Sequence, residues 1–107
     1  MSTAPKSEVL HVAALVEYQD GSVVSRQISK AEGGNVTLFA FDEGQELSEH
    51  TAPYDALVHV LDGEAEIRIG GNPFTLGSGD AILMPANIPH AVRAVKRFKM
   101  LLTMIKS

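Results

Sequence analysis

The chain has four histidines and no cysteine, so metal binding or proton transfer must rest on imidazoles and carboxylates, without thiolates. Two of the histidines stand out by their surroundings. His50 lies in Gly44-Gln45-Glu46-Leu47-Ser48-Glu49-His50-Thr51-Ala52-Pro53-Tyr54-Asp55-Ala56, ahead of an apolar run that ends at Asp62-Gly63. His90 closes Gly79-Asp80-Ala81-Ile82-Leu83-Met84-Pro85-Ala86-Asn87-Ile88-Pro89-His90. Both stretches are punctuated by Gly and Pro, the residues of tight turns. A lone histidine is commonly a pocket residue bonded to backbone or water. Two that converge can hold a divalent ion, bind an anion, or act as acid and base. They would also depress each other's pKa, leaving one or both neutral near pH 7.

The elements that must position them read as short strands. Val9 to Tyr18 is apolar on more than one face and fits a short strand or a short helix; Asp20-Gly21 then turns the chain. Ser22 to Ile28 is β-branched, and Val36 to Phe41 is apolar at both parities, as in a strand covered on both faces. Ala56 to Leu61 is a further strand, and Asp62-Gly63 has the composition of a tight hairpin turn. Glu64 to Ile69 alternates, with Glu64, Glu66 and Arg68 on one face and Ala65, Ile67 and Ile69 on the other. Phe74 to Leu76, Ala81 to Met84, Ala91 to Val95 and Phe98 to Ile105 complete the set. Many short strands separated by Gly/Pro turns predict an all-β sandwich or barrel in a single domain over 1–107, with 1–7 frayed.

The two histidine stretches together resemble the two signature motifs of the cupin superfamily, small barrels of jelly-roll (double-stranded β-helix) type. The resemblance implies an interior site at the barrel mouth. In that family the first motif supplies two His and a Glu, the second one more His, and the four hold a divalent metal. Here His50 and His90 match the first and last of these ligands. Ala52 stands where the second His is expected, and Ala56 where the Glu is expected, with Asp55 one residue earlier. Asn87 replaces the usual Gly of the second turn, and Ala94 an Asn that often closes the motif. Gly44, Gly63, Gly79, Pro85 and Pro89 all match. The resemblance therefore implies the fold, with a metal site reduced to His50 and His90 that would take Zn, Ni, Fe or Mn weakly if at all.

Strand parity tests for replacement ligands. If His50, Ala52 and Ala56 face inward, Val58 and Val60 follow, while Asp55 and His59 point outward. His59 is thus a minor candidate, and His11, in the uncertain N-terminal segment, a lesser one. Glu46 and Glu49 flank the motif as solvated carboxylates. The expected pocket is formed by His50, His90, Tyr54, Val58 and Val92.

Composition limits the partners. Lys and Arg number 9 against 13 Asp and Glu, a net charge of −4, which argues against nucleic acid or an anionic membrane. No apolar run approaches the roughly 20 residues of a membrane span, and the polar opening Met1 to Ser7 lacks a secretory signal's apolar stretch, so a cytoplasmic protein is expected. In the last strand Phe98, Met100, Leu102 and Met104 share one parity, and Leu101 and Ile105 the other. The second apolar face needs a cover, and an identical subunit in a homodimer is the expected one, with the chain's own N-terminal segment the alternative. The expected activity is binding of a small molecule of undetermined identity. The alternatives are a metal-dependent enzyme of dioxygenase or isomerase type, and a metal-free protein using the imidazoles as acid and base.

Overall fold

The computed structural model describes residues 3–106. Nine strands follow one 3₁₀ turn, Val12–Leu15. They are β1 (Val23–Ala31), β2 (Gly34–Phe41), β3 (Glu46–His50), β4 (Asp55–Asp62), β5 (Glu64–Ile69), β6 (Asn72–Gly77), β7 (Ala81–Met84), β8 (His90–Ala94) and β9 (Phe98–Ile105). A five-stranded sheet in the order β1-β2-β9-β4-β7 faces a four-stranded sheet in the order β3-β8-β5-β6. The paired strands are antiparallel throughout. This is the all-β double-stranded β-helix of a jelly roll.

The core lies between the sheets. Phe41, Val58, Val60, Ala65, Ile67 and Phe98 are fully buried there. The Phe41 and Phe98 rings stack with centroids 4.5 Å apart, an arrangement worth about 0.5–1.5 kcal/mol beyond the area it buries. On β5 the alternation acts as the sequence suggests: Ala65 and Ile67 are buried, while Arg68 is exposed and Glu64 and Glu66 are half-buried.

A second apolar cluster lies outside the five-stranded sheet. Val16, Leu38 and Ala40 are its buried members, with Val12, Leu15, Leu61 and Leu101 packed around them. The N-terminal segment is therefore a cover for the second face of β2, and for Leu101 of β9 and Leu61 of β4. Polar contacts hold it down: the Tyr18 hydroxyl donates to Asp62 at 2.5 Å, and Lys99 Nζ donates to the Ala13 carbonyl at 2.6 Å. Arg97 completes the clamp, with Nη2 on Asp20 and Nε on Asp42, each at 2.8 Å. Burial and the bond to Asp62 push the Tyr18 phenol well above its ordinary pKa. Further along the same face Leu57, Leu83 and Ile105 remain 37%, 54% and 53% exposed.

The structure corrects the expected hairpin at Asp62-Gly63: β4 pairs with β7 and β9, whereas β5 pairs with β6 and β8. Gly63 instead passes the chain from one sheet to the other at φ +81, and a Cβ there would meet the Arg97 carbonyl oxygen at 1.7 Å. Glu46–His50 is a strand, although its polar composition shows no alternation. In Val9 to Tyr18 the helical alternative holds, as the short 3₁₀ turn Val12–Leu15. Of the stretch expected to fray, Ala4 N–H bonds the Ile28 carbonyl at 3.0 Å, and residues 1 and 2 lie outside the described residues.

Candidate functional site

β3 and β8 pair in the four-stranded sheet, and their register sets His50 opposite His90. A shift between Leu47 and His50 makes this possible. Leu47 pairs with Val92, so an unbroken register would set Glu49, not His50, against His90. The extra residue of a β-bulge restores His50 to the inward parity, as bulges do where a side chain must be re-aimed.

The two imidazoles meet edge-on, with ring centroids 4.4 Å apart and planes at 71°. Their Nε2 atoms are 3.2 Å apart. Each Nδ1 faces the backbone carbonyl two residues upstream: His50 that of Ser48 at 2.8 Å, His90 that of Ile88 at 3.3 Å. A carbonyl only accepts, so each bonded Nδ1 carries a hydrogen, and both Nε2 atoms are left with a lone pair. Two lone pairs at hydrogen-bond distance need something between them. One proton suffices, giving three protons on four nitrogens and a single positive charge. Without that proton, one imidazole must give up its carbonyl bond for the other tautomer.

A second extra proton is disfavoured. His90 is 5% exposed, and its pKa is lowered, first by burial and then by the charge of His50, with the Ile88 carbonyl partly opposing. His50 sits on the exposed side of the pair. Burial of His90 and the nearness of His50 thus both oppose a charge on His90.

A divalent ion is the other candidate for the space between the Nε2 atoms. Adjacent nitrogen donors on a four- or six-coordinate ion, with bonds near 2.1 Å, lie about 3.0–3.4 Å apart. The observed separation falls inside that range, and Nδ1–H bonded to a carbonyl is the usual outer contact of a ligating imidazole. The donor set ends there, however: among the described residues no group of three or more His, Cys, Asp or Glu could hold a metal ion. Ala56 is 2% exposed in the core, and Ala52 is half-buried in the loop after β3. The pair therefore fits two adjacent positions of an ion and leaves the others to water or a ligand.

Asp55, the carboxylate nearest the missing Glu, has another task. Its Oδ1 accepts the Ala86 N–H at 2.8 Å, and the Ala52 carbonyl accepts the Asn87 N–H at 2.8 Å. These two bonds tie the loop after β3 and the start of β4 to the turn that delivers His90. Asn87 takes φ 64 in that turn, the left-handed conformation Asn tolerates where Gly is usual.

The other proposed site residues are dispersed. Val92, two residues beyond His90 on β8, is 3% exposed, and Val58 is fully buried in the core. Tyr54 is half-buried, with the Lys106 ammonium 5.2 Å from its ring centroid. His59 is half-buried in β4, in register with Leu101 and Ala81, and His11 is exposed ahead of the 3₁₀ turn. The two carbonyl anchors were not visible in the sequence, since no side-chain pattern marks them. Both nevertheless come from position i−2.

Residues 37–106 match a family profile described as cupin domain. The chain belongs to the cupin domain family. The fold of this cupin is closely shared by a conserved protein of unknown function from Streptococcus pyogenes, at TM-score 0.92 and 36% identity, covering 100% of this chain and 96% of that one. A cupin superfamily protein from Desulfitobacterium hafniense is similar at TM-score 0.91 and 29% identity, covering 99% and 97%. A curated relative, polyketide synthase CurC of Streptomyces cyaneus, is 30% identical over 66 residues, 61% of this chain. The match spans only 43% of that relative's length. No helix among the described residues is long and apolar enough to cross a membrane.

Proposed function

We propose that this cupin binds a small organic molecule at the barrel mouth, using His50 and His90 as its polar contacts, and acts as a cytoplasmic homodimer. The observation that carries the reading is the 3.2 Å contact between two Nε2 atoms whose Nδ1 atoms both face carbonyls. Such a pair can turn its shared proton toward a bound molecule, and Ile88, 39% exposed on the His90 turn, adds apolar surface. A carboxylate or enolate group is the natural complement of a singly charged pair. The exposed Leu57, Leu83 and Ile105 supply the apolar surface for the homodimer.

The spacing of the two Nε2 atoms favours a second reading, a metal-dependent enzyme whose His50–His90 pair is completed by water or substrate. A bound ion would supply Lewis acidity there; the chain itself supplies two imidazoles held in place by Ser48 and Ile88. The missing carboxylate weighs against it, because a firmly held ion needs more than two protein ligands.

An NMR screen of small carboxylates and neutral analogues against the uniformly labelled protein tests the first reading. Hits should shift the imidazole C–H signals of both His50 and His90, and His90→Ala should abolish the shifts while the fold persists. Hits that leave both imidazoles unmoved would refute it.

A further inference from the structure

A depression of about 330 Å³ lies on the four-stranded sheet, beside the β3 bulge. Arg68, Arg93, Glu66 and Ala91 line it from one face of β5 and β8, with Val92 and Leu47 also bordering it, while Ala65, Ile67 and Ala94 are buried inward. Two features of the sequence make the hollow. Ala91 places a single methyl at an outward position of the central strand β8, where a longer side chain would fill the space. The register shift in β3 disturbs the neighbouring edge at Ser48 and Glu49.

Both arginine head groups gather at Glu66, on the β5 side of the depression. Arg68 Nε and Arg93 Nη2 flank the two oxygens of one carboxylate, Glu66 Oε1 at 3.1 Å and Oε2 at 3.8 Å. One glutamate thus orients two guanidiniums that remain about half exposed, 51% and 49%. Glu46 and Glu49, both on β3, carry the opposite charge on the other side. β3 and β5 flank β8, so Arg68 and the β3 carboxylates stand two strand spacings apart, about 10 Å. Arg93 lies between them on β8, in register with Glu46 and Glu66 and with its guanidinium on the Glu66 side. A simple anion would meet three carboxylates against two guanidiniums, and a simple cation would meet the two arginines. A molecule carrying both charges satisfies both walls.

We infer that this outer-face depression is a binding site for a small zwitterion of the amino-acid or dipeptide class. The carboxylate lies against Arg68 and Arg93, and the ammonium against Glu46 and Glu49. Guanidinium pairs already oriented by a shared carboxylate suit a second carboxylate, because their planar donors need little reordering. The volume is at the small end of ligand sites, in keeping with a molecule of that size. The site backs onto the histidine pair through one residue: the Ser48 carbonyl that accepts His50 Nδ1–H belongs to the strand edge lining the depression. It stands independently of what the barrel mouth binds.

Titration of the ¹⁵N-labelled protein with glycylglycine, with acetate and ethylammonium as single-charge controls, tests the assignment. Glycylglycine should saturate in the millimolar range and shift the amides of Ser48, Ala91 and Arg93, with each control at least ~10-fold weaker. Ala91→Met fills the hollow from outside the core and should abolish the shifts. Arg93→Gln, which removes one guanidinium, should weaken binding about 10-fold. Acetate binding as well as the dipeptide, full binding by a folded Ala91→Met variant, or no saturable shift in the wild type would each overturn the proposal.

Discussion

Ala52→His with Ala56→Glu restores the two ligand types missing beside His50 and His90, and its cost can be worked from the structure. Ala56 is 2% exposed and pairs with Met84 on one side and Met104 on the other. Glutamate there adds four heavy atoms to a packed layer, an overpacking cost of about 1–3 kcal/mol. If its carboxylate stays charged without a partner, burial costs several kcal/mol more, roughly 3–5. The metal-free variant should therefore melt at least ~10 °C below wild type, since each kcal/mol shifts a domain of this size by about 4–8 °C. Metal reverses the balance. Two added inner-sphere donors should tighten Ni²⁺ or Zn²⁺ binding by at least ~10²-fold, or about 2.7 kcal/mol. Calorimetric titration of wild type, His50→Ala, His90→Ala and the double variant, with melting curves in chelator and in metal, makes the comparison. Wild type should bind weakly, either single His variant not measurably, and the double variant tightly with a metal-dependent rise in melting temperature. A folded double variant with unchanged affinity would show that residues 52 and 56 do not converge on the pair. Tight wild-type binding that survives His50→Ala would place the metal elsewhere, with His59 the first residue to test.

Other outcomes follow from single contacts. His90 has a folded-state pKa below its unfolded value, so its share of stability is complete above pH ~6.5 and is lost as pH falls toward the folded-state value; urea midpoints at pH 7.5 and 5.5 should differ less in His90→Gln than in wild type. Gly63→Ala should cost at least ~3 kcal/mol or prevent folding, because φ +81 and a Cβ at 1.7 Å from the Arg97 oxygen cannot both be accommodated; a melting temperature within 5 °C of wild type, on the same scale of about 4–8 °C per kcal/mol, would contradict this. Tyr18→Phe removes the bond to Asp62 and should cost about 1 kcal/mol, with hydrogen exchange rising first in residues 12–18. Asp55→Ala should broaden or split the His90 imidazole signals while Asp55→Asn, which keeps the acceptor oxygen, leaves them near wild type.

Much of the fold was legible because it rests on patterns with strong physical causes. The alternation of β5, the two-faced apolar strands β2 and β9, and the Gly/Pro turns each report burial directly. β3 was not legible: Glu46, Ser48, Glu49 and His50 are all exposed, so no burial pattern exists to read. Gly63 shows the limit of composition, since Asp-Gly marks a positive φ correctly but does not say whether the chain folds back on itself or crosses to another sheet. The cover on β2 was legible as a need, but its expected identity, a second subunit, differs from the N-terminal segment that packs there. Leu38 and Ala40 required a partner, and Val16 of the same chain supplies one, leaving Leu57, Leu83 and Ile105 for any second subunit.

The site shows why two residues at correct motif positions do not by themselves define a chemistry. His50 and His90 are 40 residues apart in sequence, and their convergence was readable only through the resemblance. What sets their properties is backbone: a bulge that turns His50 inward and two carbonyls that consume both Nδ1 hydrogens. In a four-ligand cupin the same geometry would aim both Nε2 lone pairs at an ion. With Ala at 52 and 56 the two Nε2 atoms are kept 3.2 Å apart without the other two ligands, a gap that one proton fills and beside which a ligand can bind. On the proposed reading, the pair keeps the metal-binding arrangement of Nε2 atoms and takes an acidic molecule as its partner. That is why the titration of carboxylates against His50 and His90 separates the two functional readings better than a metal analysis alone.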